Sequence, residues 1–192
     1  PYAVLAVPMG GLLLTAGVDV QDNRLAVVIR AWGRGEESWL IYWNEIYGDP
    51  AQPQVWADLD ALLSRAFDHA TGGTLRITSA AIDTGGHHTQ SVYAFARSKS
   101  PRVIAIKGSN QPGRQIIGHP SQVDITWRGQ QIPNGVQLWP VGTDTAKMTI
   151  YSRLKITEPG PGYSQFPIGI DENYFVQLTA EKLITRYVKG SP

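Results

Sequence analysis

The chain has 192 residues, 42% apolar and 17% charged, with formal net charge +1 at pH 7. That is an ordinary globular composition with enough length for one sizeable core, and it excludes a disordered chain. The absence of cysteine excludes disulfides and thiolate metal sites, which fits a reducing compartment.

No apolar stretch approaches the ~18 residues of a membrane span, and no basic segment precedes the first apolar run, so neither a membrane anchor nor a signal peptide is expected. Charge is uneven along the chain. Residues 1–95 hold 5 Lys/Arg against 10 Asp/Glu, and residues 96–192 hold 12 against 6. An acidic half suits metal ligands and a basic half suits phosphate, although two solvated faces would give the same pattern. Pro1 is not an initiator, so the chain reads as a piece of a longer polypeptide forming one domain over 1–192.

Leu12 to Val20 is an apolar run ending in Asp19 and reads as a buried strand. A turn at Gln21-Asp22-Asn23-Arg24 leads to a second strand, Leu25 to Gly33, with Leu25, Val27, Ile29 and Ala31 on one face. After Gly33-Arg34-Gly35-Glu36, a third strand covers Glu37 to Tyr47, completing an antiparallel meander. Gly48-Asp49-Pro50 breaks the pattern. From Gln54, the stripe Val55, Trp56, Leu59, Leu62, Leu63, Ala66 and Phe67 predicts a helix. A strand from Leu75 to Asp83 follows, then a helix from His87 to Ser98 and a short strand from Arg102 to Lys107.

Gly108 to Pro120 lacks periodicity and reads as a loop. Gln122 to Val141 divides into two or three short strands with turns at Arg128-Gly129-Gln130 and Pro133-Asn134-Gly135. Thr143 to Leu154 is helical with Thr143 as N-cap, and a last helix is predicted from Thr179 to Val188. The core order β-β-β-α-β-α-β predicts an α/β mixed sheet with flanking helices and a C-terminal extension. That order resembles the ribonuclease H-like fold, whose members carry acids on the first and fourth strands, where Asp19 and Asp83 fall.

A carboxylate at the end of a buried strand is costly unless it is paired, hydrogen-bonded or metal-bound. Taken singly, Asp19 has the alternative of a turn former or helix cap, and Asp83 reads equally as an N-terminal cap of the helix that follows it. Side by side on neighbouring strands they form a hard-oxygen site for Mg²⁺ or Mn²⁺, and two such ions hydrolyse phosphodiesters by in-line displacement. In Gly85-Gly86-His87-His88 the adjacent histidines point to different helix faces. They therefore do not chelate one ion; one caps or packs while the other faces solvent, and either is placed to touch a phosphate. Gly142-Thr143-Asp144-Thr145-Ala146-Lys147 starts a helix. There Asp144 complements the macrodipole or supplies a third carboxylate, and Lys147 reaches for phosphate. Lys107 and Arg114 are further phosphate candidates. The six tryptophans (Trp32, Trp39, Trp43, Trp56, Trp127 and Trp139) are read as packing residues. No phosphate-binding Gly-x-x-x-x-Gly-Lys loop and no Gly-x-Ser-x-Gly elbow occurs.

Four segments together resemble the C-terminal nuclease domain of the lambda-type phage terminase large subunit. They are Thr15-Ala16-Gly17-Val18-Asp19-Val20-Gln21, Ala81 to Thr89 (Ala-Ile-Asp-Thr-Gly-Gly-His-His-Thr), Ile106-Lys107-Gly108, and Gly142 to Lys147 with Ile150-Tyr151-Ser152-Arg153-Leu154 downstream. Gln177-Leu178-Thr179-Ala180-Glu181 also fits. The resemblance implies a Mg²⁺- or Mn²⁺-dependent endonuclease that cuts concatemeric double-stranded phage DNA during packaging in the host cytoplasm. It also implies an ATPase motor domain in the same polypeptide, with the terminase small subunit and the portal protein as partners.

The sequence departs from that family in one place. Members carry a last catalytic acid on a C-terminal helix, in a stretch reading roughly Asn-Glu-x-x-Asp, and nothing after Glu181 matches it. The metal site is therefore expected to lack a ligand, Asp144 being the nearest substitute and Asp171 a weaker one, and residues 1–192 alone are expected to cut weakly or not at all. The competing readings are a non-catalytic DNA-binding or assembly module of the packaging motor, and a resolvase-like nuclease of the same fold.

Overall fold

A computed structural model describes residues 1–127 and 129–180. The meander forms as predicted: β1 (Leu13–Val20), β2 (Arg24–Trp32) and β3 (Ser38–Tyr47) pair antiparallel. Helix α1 (Pro53–Ser64) then leads through a short β4 (Ala66–Asp68) to β5 (Thr74–Asp83), and α2 (Thr89–Ser98) leads to β6 (Val103–Ser109). The remaining described elements are β7 (Ser121–Trp127), β8 (Gln130–Gly142), α3 (Thr143–Arg153), β9 (Ser164–Gln165) and α4 (Glu172–Leu178).

All are organised on one mixed sheet of order β7-β8-β6-β5-β1-β2-β3-β9, with β4 pairing on β5. Strand β1 is central, antiparallel to β2 and parallel to β5, which is parallel to β6. A strand presents alternate residues to opposite faces. On β1, Leu14, Ala16, Val18 and Val20 are buried, and on β2 the buried set is the predicted Leu25, Val27, Ile29 and Ala31. Val55, Leu59 and Leu63 of α1 join the same core as Val92, Phe95 and Ala96 of α2, so both helices cover that face. Trp39 is buried in this core, and Trp56 packs against Phe95 with ring centroids 5.1 Å apart. The opposite face, carrying Gly17 and Asp19 of β1, stays open to a cleft flanked by α3 and α4.

Four local expectations are corrected. The first helix stops at Ser64 rather than reaching Phe67, and Ala66–Asp68 pair antiparallel with Thr74–Arg76. Phe67 is buried in either conformation, so its apolar character did not distinguish them. Pro133-Asn134-Gly135 makes no turn between strands but a bulge inside β8: the pairing jumps from Ile125↔Ile132 to Val123↔Val136. The Asp124 carboxylate accepts from the Asn134 backbone N–H at 2.9 Å, which satisfies the displaced backbone there, while Asn134 takes φ 52°. Thr143 is the first residue of α3 and not its cap, which is Gly142; the Thr143 hydroxyl donates to the Ser109 carbonyl at 3.1 Å. Thr179 closes α4 instead of opening a helix, Ala180 is outside any helix, and residues 181–188 of the predicted helix lie outside the described residues.

Candidate active site

Asp19 and Asp83 come together because β1 and β5 run parallel in register. Val18 lies beside Ile82, so the next step places the two aspartates abreast at the carboxyl ends of the two central strands, about 4.8 Å apart in backbone. Both fall on the open face and line a cleft of about 660 Å³. Each has one oxygen engaged. Gln21 donates its side-chain amide to Oδ2 of Asp19 at 3.0 Å, and the Gly85 backbone N–H donates to Oδ1 of Asp83 at 3.1 Å. The Gly85-Gly86 pair makes this close packing feasible: a Cβ at Gly85 would sit 3.2 Å from Oδ2 of Asp83, and one at Gly86 would sit 3.2 Å from the Val20 carbonyl. The carboxylates thus offer Asp19 Oδ1 and Asp83 Oδ2 to a shared ligand.

Two adjacent carboxylates with hard oxygens fit a divalent cation that keeps several waters and completes its shell with a phosphate. No third His, Cys, Asp or Glu joins them among the described residues. Asp144 is engaged elsewhere. It accepts from the Gly113 backbone N–H at 2.8 Å, and that bond holds its carboxyl below the usual range. Asp171 caps α4 by accepting from the Asn173 N–H at 2.9 Å. Neither is among the residues lining the cleft.

The other candidates divide by position. His87 is exposed and its Nδ1 lies 3.2 Å from Asp22, joining the loops that follow β1 and β5 beside the carboxylates. His88 occupies the N-cap position of α2 but its side chain makes no capping hydrogen bond, and His87 faces solvent. Lys107 falls between the cleft-lining Ile106 and Gly108 and by strand alternation faces away from them. Lys147 shares a helical stripe with Thr143, Ile150 and Leu154, which line the cleft, but is not itself among the lining residues. Arg114 sits in the loop before β7, bonded to the Ser109 hydroxyl at 3.1 Å.

Sequence reasoning missed two residues of this cleft. Gln21 is two positions past Asp19, and the pair's spacing was the available signal. Arg30 lies on the open face of β2; the buried set at 25, 27, 29 and 31 implied that orientation. Its guanidinium donates to the Ser38 hydroxyl at 2.9 Å and lies 5.7 Å from the Phe166 ring centre. Burial lowers its affinity for a proton while the Tyr174 phenol beside it favours its charged form, and burial likewise raises the Tyr174 phenol.

The sequence model of the family described as "Terminase large subunit gpA, endonuclease domain" matches residues 1–192. The large terminase subunit of Escherichia phage lambda is 36% identical over 185 residues, covering 92% of this chain and 28% of that protein. The large subunit of Enterobacteria phage P21 is 32% identical over 195 residues, covering 96% and 29%. The chain therefore spans less than a third of the length of these relatives. No solved structure matches it. No helix among the described residues is long and apolar enough to cross a membrane. With the family matched from end to end, the chain belongs to the endonuclease domains of the terminase large subunit.

Proposed function

We propose that this domain hydrolyses phosphodiester bonds of double-stranded phage DNA during genome packaging, with Asp19 and Asp83 holding Mg²⁺ or Mn²⁺. The observation that carries the reading is the parallel alignment of β1 and β5, which sets two carboxylates side by side at the rim of one open cleft. The strand order β6-β5-β1-β2-β3, with β2 alone reversed between β1 and β3, supports a ribonuclease H-like architecture in which the first and fourth core strands bear the acids.

Divalent ions bound there supply an activated water and charge stabilisation for the leaving oxygen, in the two-ion manner common to such sites. The protein's own contribution is to orient. Gln21 and the Gly85 amide fix the rotation of the two carboxylates. His87, His88, Arg114 and Lys147 lie outside the cleft lining and would meet backbone phosphates flanking it, whereas Lys107 is on the far face of the sheet. In the intact packaging enzyme the domain works beside an ATPase motor in the same polypeptide, the small subunit and the portal.

Plasmid cleavage with Mn²⁺ tests the assignment, on a chain extended to the length of the relatives. Asp19→Asn and Asp83→Asn should each reduce cutting by at least about 100-fold while leaving the melting temperature within a few degrees. Retained cutting by both variants would sink it.

A further inference from the structure

The cleft contains a cation largely withdrawn from water, with no anion among the described residues to balance it. Arg30 lies on the open face of β2, and its contacts are the Ser38 hydroxyl and the Phe166 ring, with the Tyr174 phenol nearby. No carboxylate of the described residues comes within ion-pair distance of it, whereas Arg24 and Arg153 are paired with Glu45 and Glu36. A guanidinium withdrawn from water is expensive unless an anion compensates it. One neutral hydroxyl and one aromatic face occupy only part of its five-donor fork.

The position of Arg30 relative to the carboxylates follows from register. Asp19 lies beside Ala26, and Arg30 is four residues further along β2, about 13 Å away on the same face. The floor between them is low, being made of Gly17, Ala26 and Val28, and a Cβ at Gly17 would meet nothing within 4 Å. One continuous groove therefore runs from two carboxylates at its rim, over a small-residue floor, to an unbalanced guanidinium.

We propose that Arg30 is a phosphate receptor for the strand being cut, gripping a backbone phosphate some distance along from the scissile one. A planar fork matches two phosphate oxygens, and the ligand's charge supplies the missing anion. The ligand class is a nucleic-acid phosphodiester lying along the groove. The proposal rests on the nuclease reading for which end of the groove holds the scissile bond.

The test is oligonucleotide binding by fluorescence anisotropy, without divalent metal so that no cutting intervenes, using a chain of the relatives' length. A single neutral methylphosphonate is walked outward from the cut position. In the wild type, one flanking position should weaken binding about tenfold. Arg30→Met should bind the unmodified strand about tenfold more weakly, lose sensitivity at that one position, and lower the slope of log affinity against log salt by about 0.9 for duplex DNA. Ser38→Asp is the second variant. It places a carboxylate against the guanidinium, so it should preserve the fold by internal pairing yet abolish the same sensitivity.

A wild-type walk with no sensitive flanking position overturns the proposal, as does a sensitive position that persists unchanged in the folded variants. Cutting that survives Asp19→Asn and Asp83→Asn would instead remove the nuclease reading and leave the phosphate result standing on its own.

Discussion

Gln21 donates its side-chain amide to Oδ2 of Asp19 at 3.0 Å, from two residues further along the chain. The bond fixes which oxygen of Asp19 is free, and the Gly85 N–H does the same for Asp83. Groups that orient metal ligands are worth about 10- to 100-fold in metal affinity. Gln21→Leu should therefore weaken Mn²⁺ binding, read by calorimetry, by at least about tenfold. Because this side-chain bond is exposed, the melting temperature should move by no more than about a degree or two. Equal Mn²⁺ affinity in the variant would show that Asp19 needs no such guide.

The sheet that holds the carboxylates depends on its helix-covered face. Leu59 of α1 is fully buried against it, while Met148 of α3 is 57% exposed. Leu59→Ala should cost about 2–5 kcal/mol, a fall in melting temperature of order 10 °C. Met148→Ala should stay within about 0.5 kcal/mol. Thermal denaturation followed by circular dichroism compares the two directly.

The central meander and the crossovers were legible because their signals are local: alternation in β2, turn residues after β1 and β2, a helical stripe in α1. The Asp19–Asp83 pairing was legible for the same reason, since both end strands whose order the pattern implied. What escaped depended on specific pairings that no periodicity or turn signal announces. β4 exists because Ala66–Asp68 find the start of β5, and the β8 bulge persists because Asp124 bonds Asn134. The partner of Asp144 is a backbone N–H 31 residues away, and that separation hid its role from any local pattern. Arg30 escaped for a different reason, since a lone arginine in a strand reads as ordinary until it is seen to have no carboxylate partner among the described residues.

Gly142 marks where the loop after β6 is pinned to the start of α3. A Cβ there would collide with the backbone carbonyls of Arg114 and Gln115, and the Gly142 N–H bonds that same stretch at 3.1 Å. Backbone cannot rotate aside as a side chain does. Gly142→Ala should therefore cost about 1–3 kcal/mol and raise amide exchange at Gly113 and Gly118, whereas Gly73→Ala, with open space around it, should leave that loop's exchange unchanged. Hydrogen exchange read by mass spectrometry separates the two.

Asp144 ties the same loop from the other side. Its carboxylate accepts from the Gly113 N–H, and this bond, with the α3 amino end behind it, depresses its pKa. A depressed folded-state pKa contributes stability that is complete above the unfolded value, about 3.9, and disappears as pH falls through the folded value. The melting temperature of Asp144→Ala should accordingly lie below that of the wild type by a constant amount near neutral pH. The gap should begin to close only below about pH 4 and should narrow towards zero in stronger acid. Because Asp144 points to Gly113 and not into the cleft, Mn²⁺ affinity should be unchanged by the same substitution. A gap independent of pH would assign the loss to packing, and a fall in Mn²⁺ affinity would return Asp144 to the metal site.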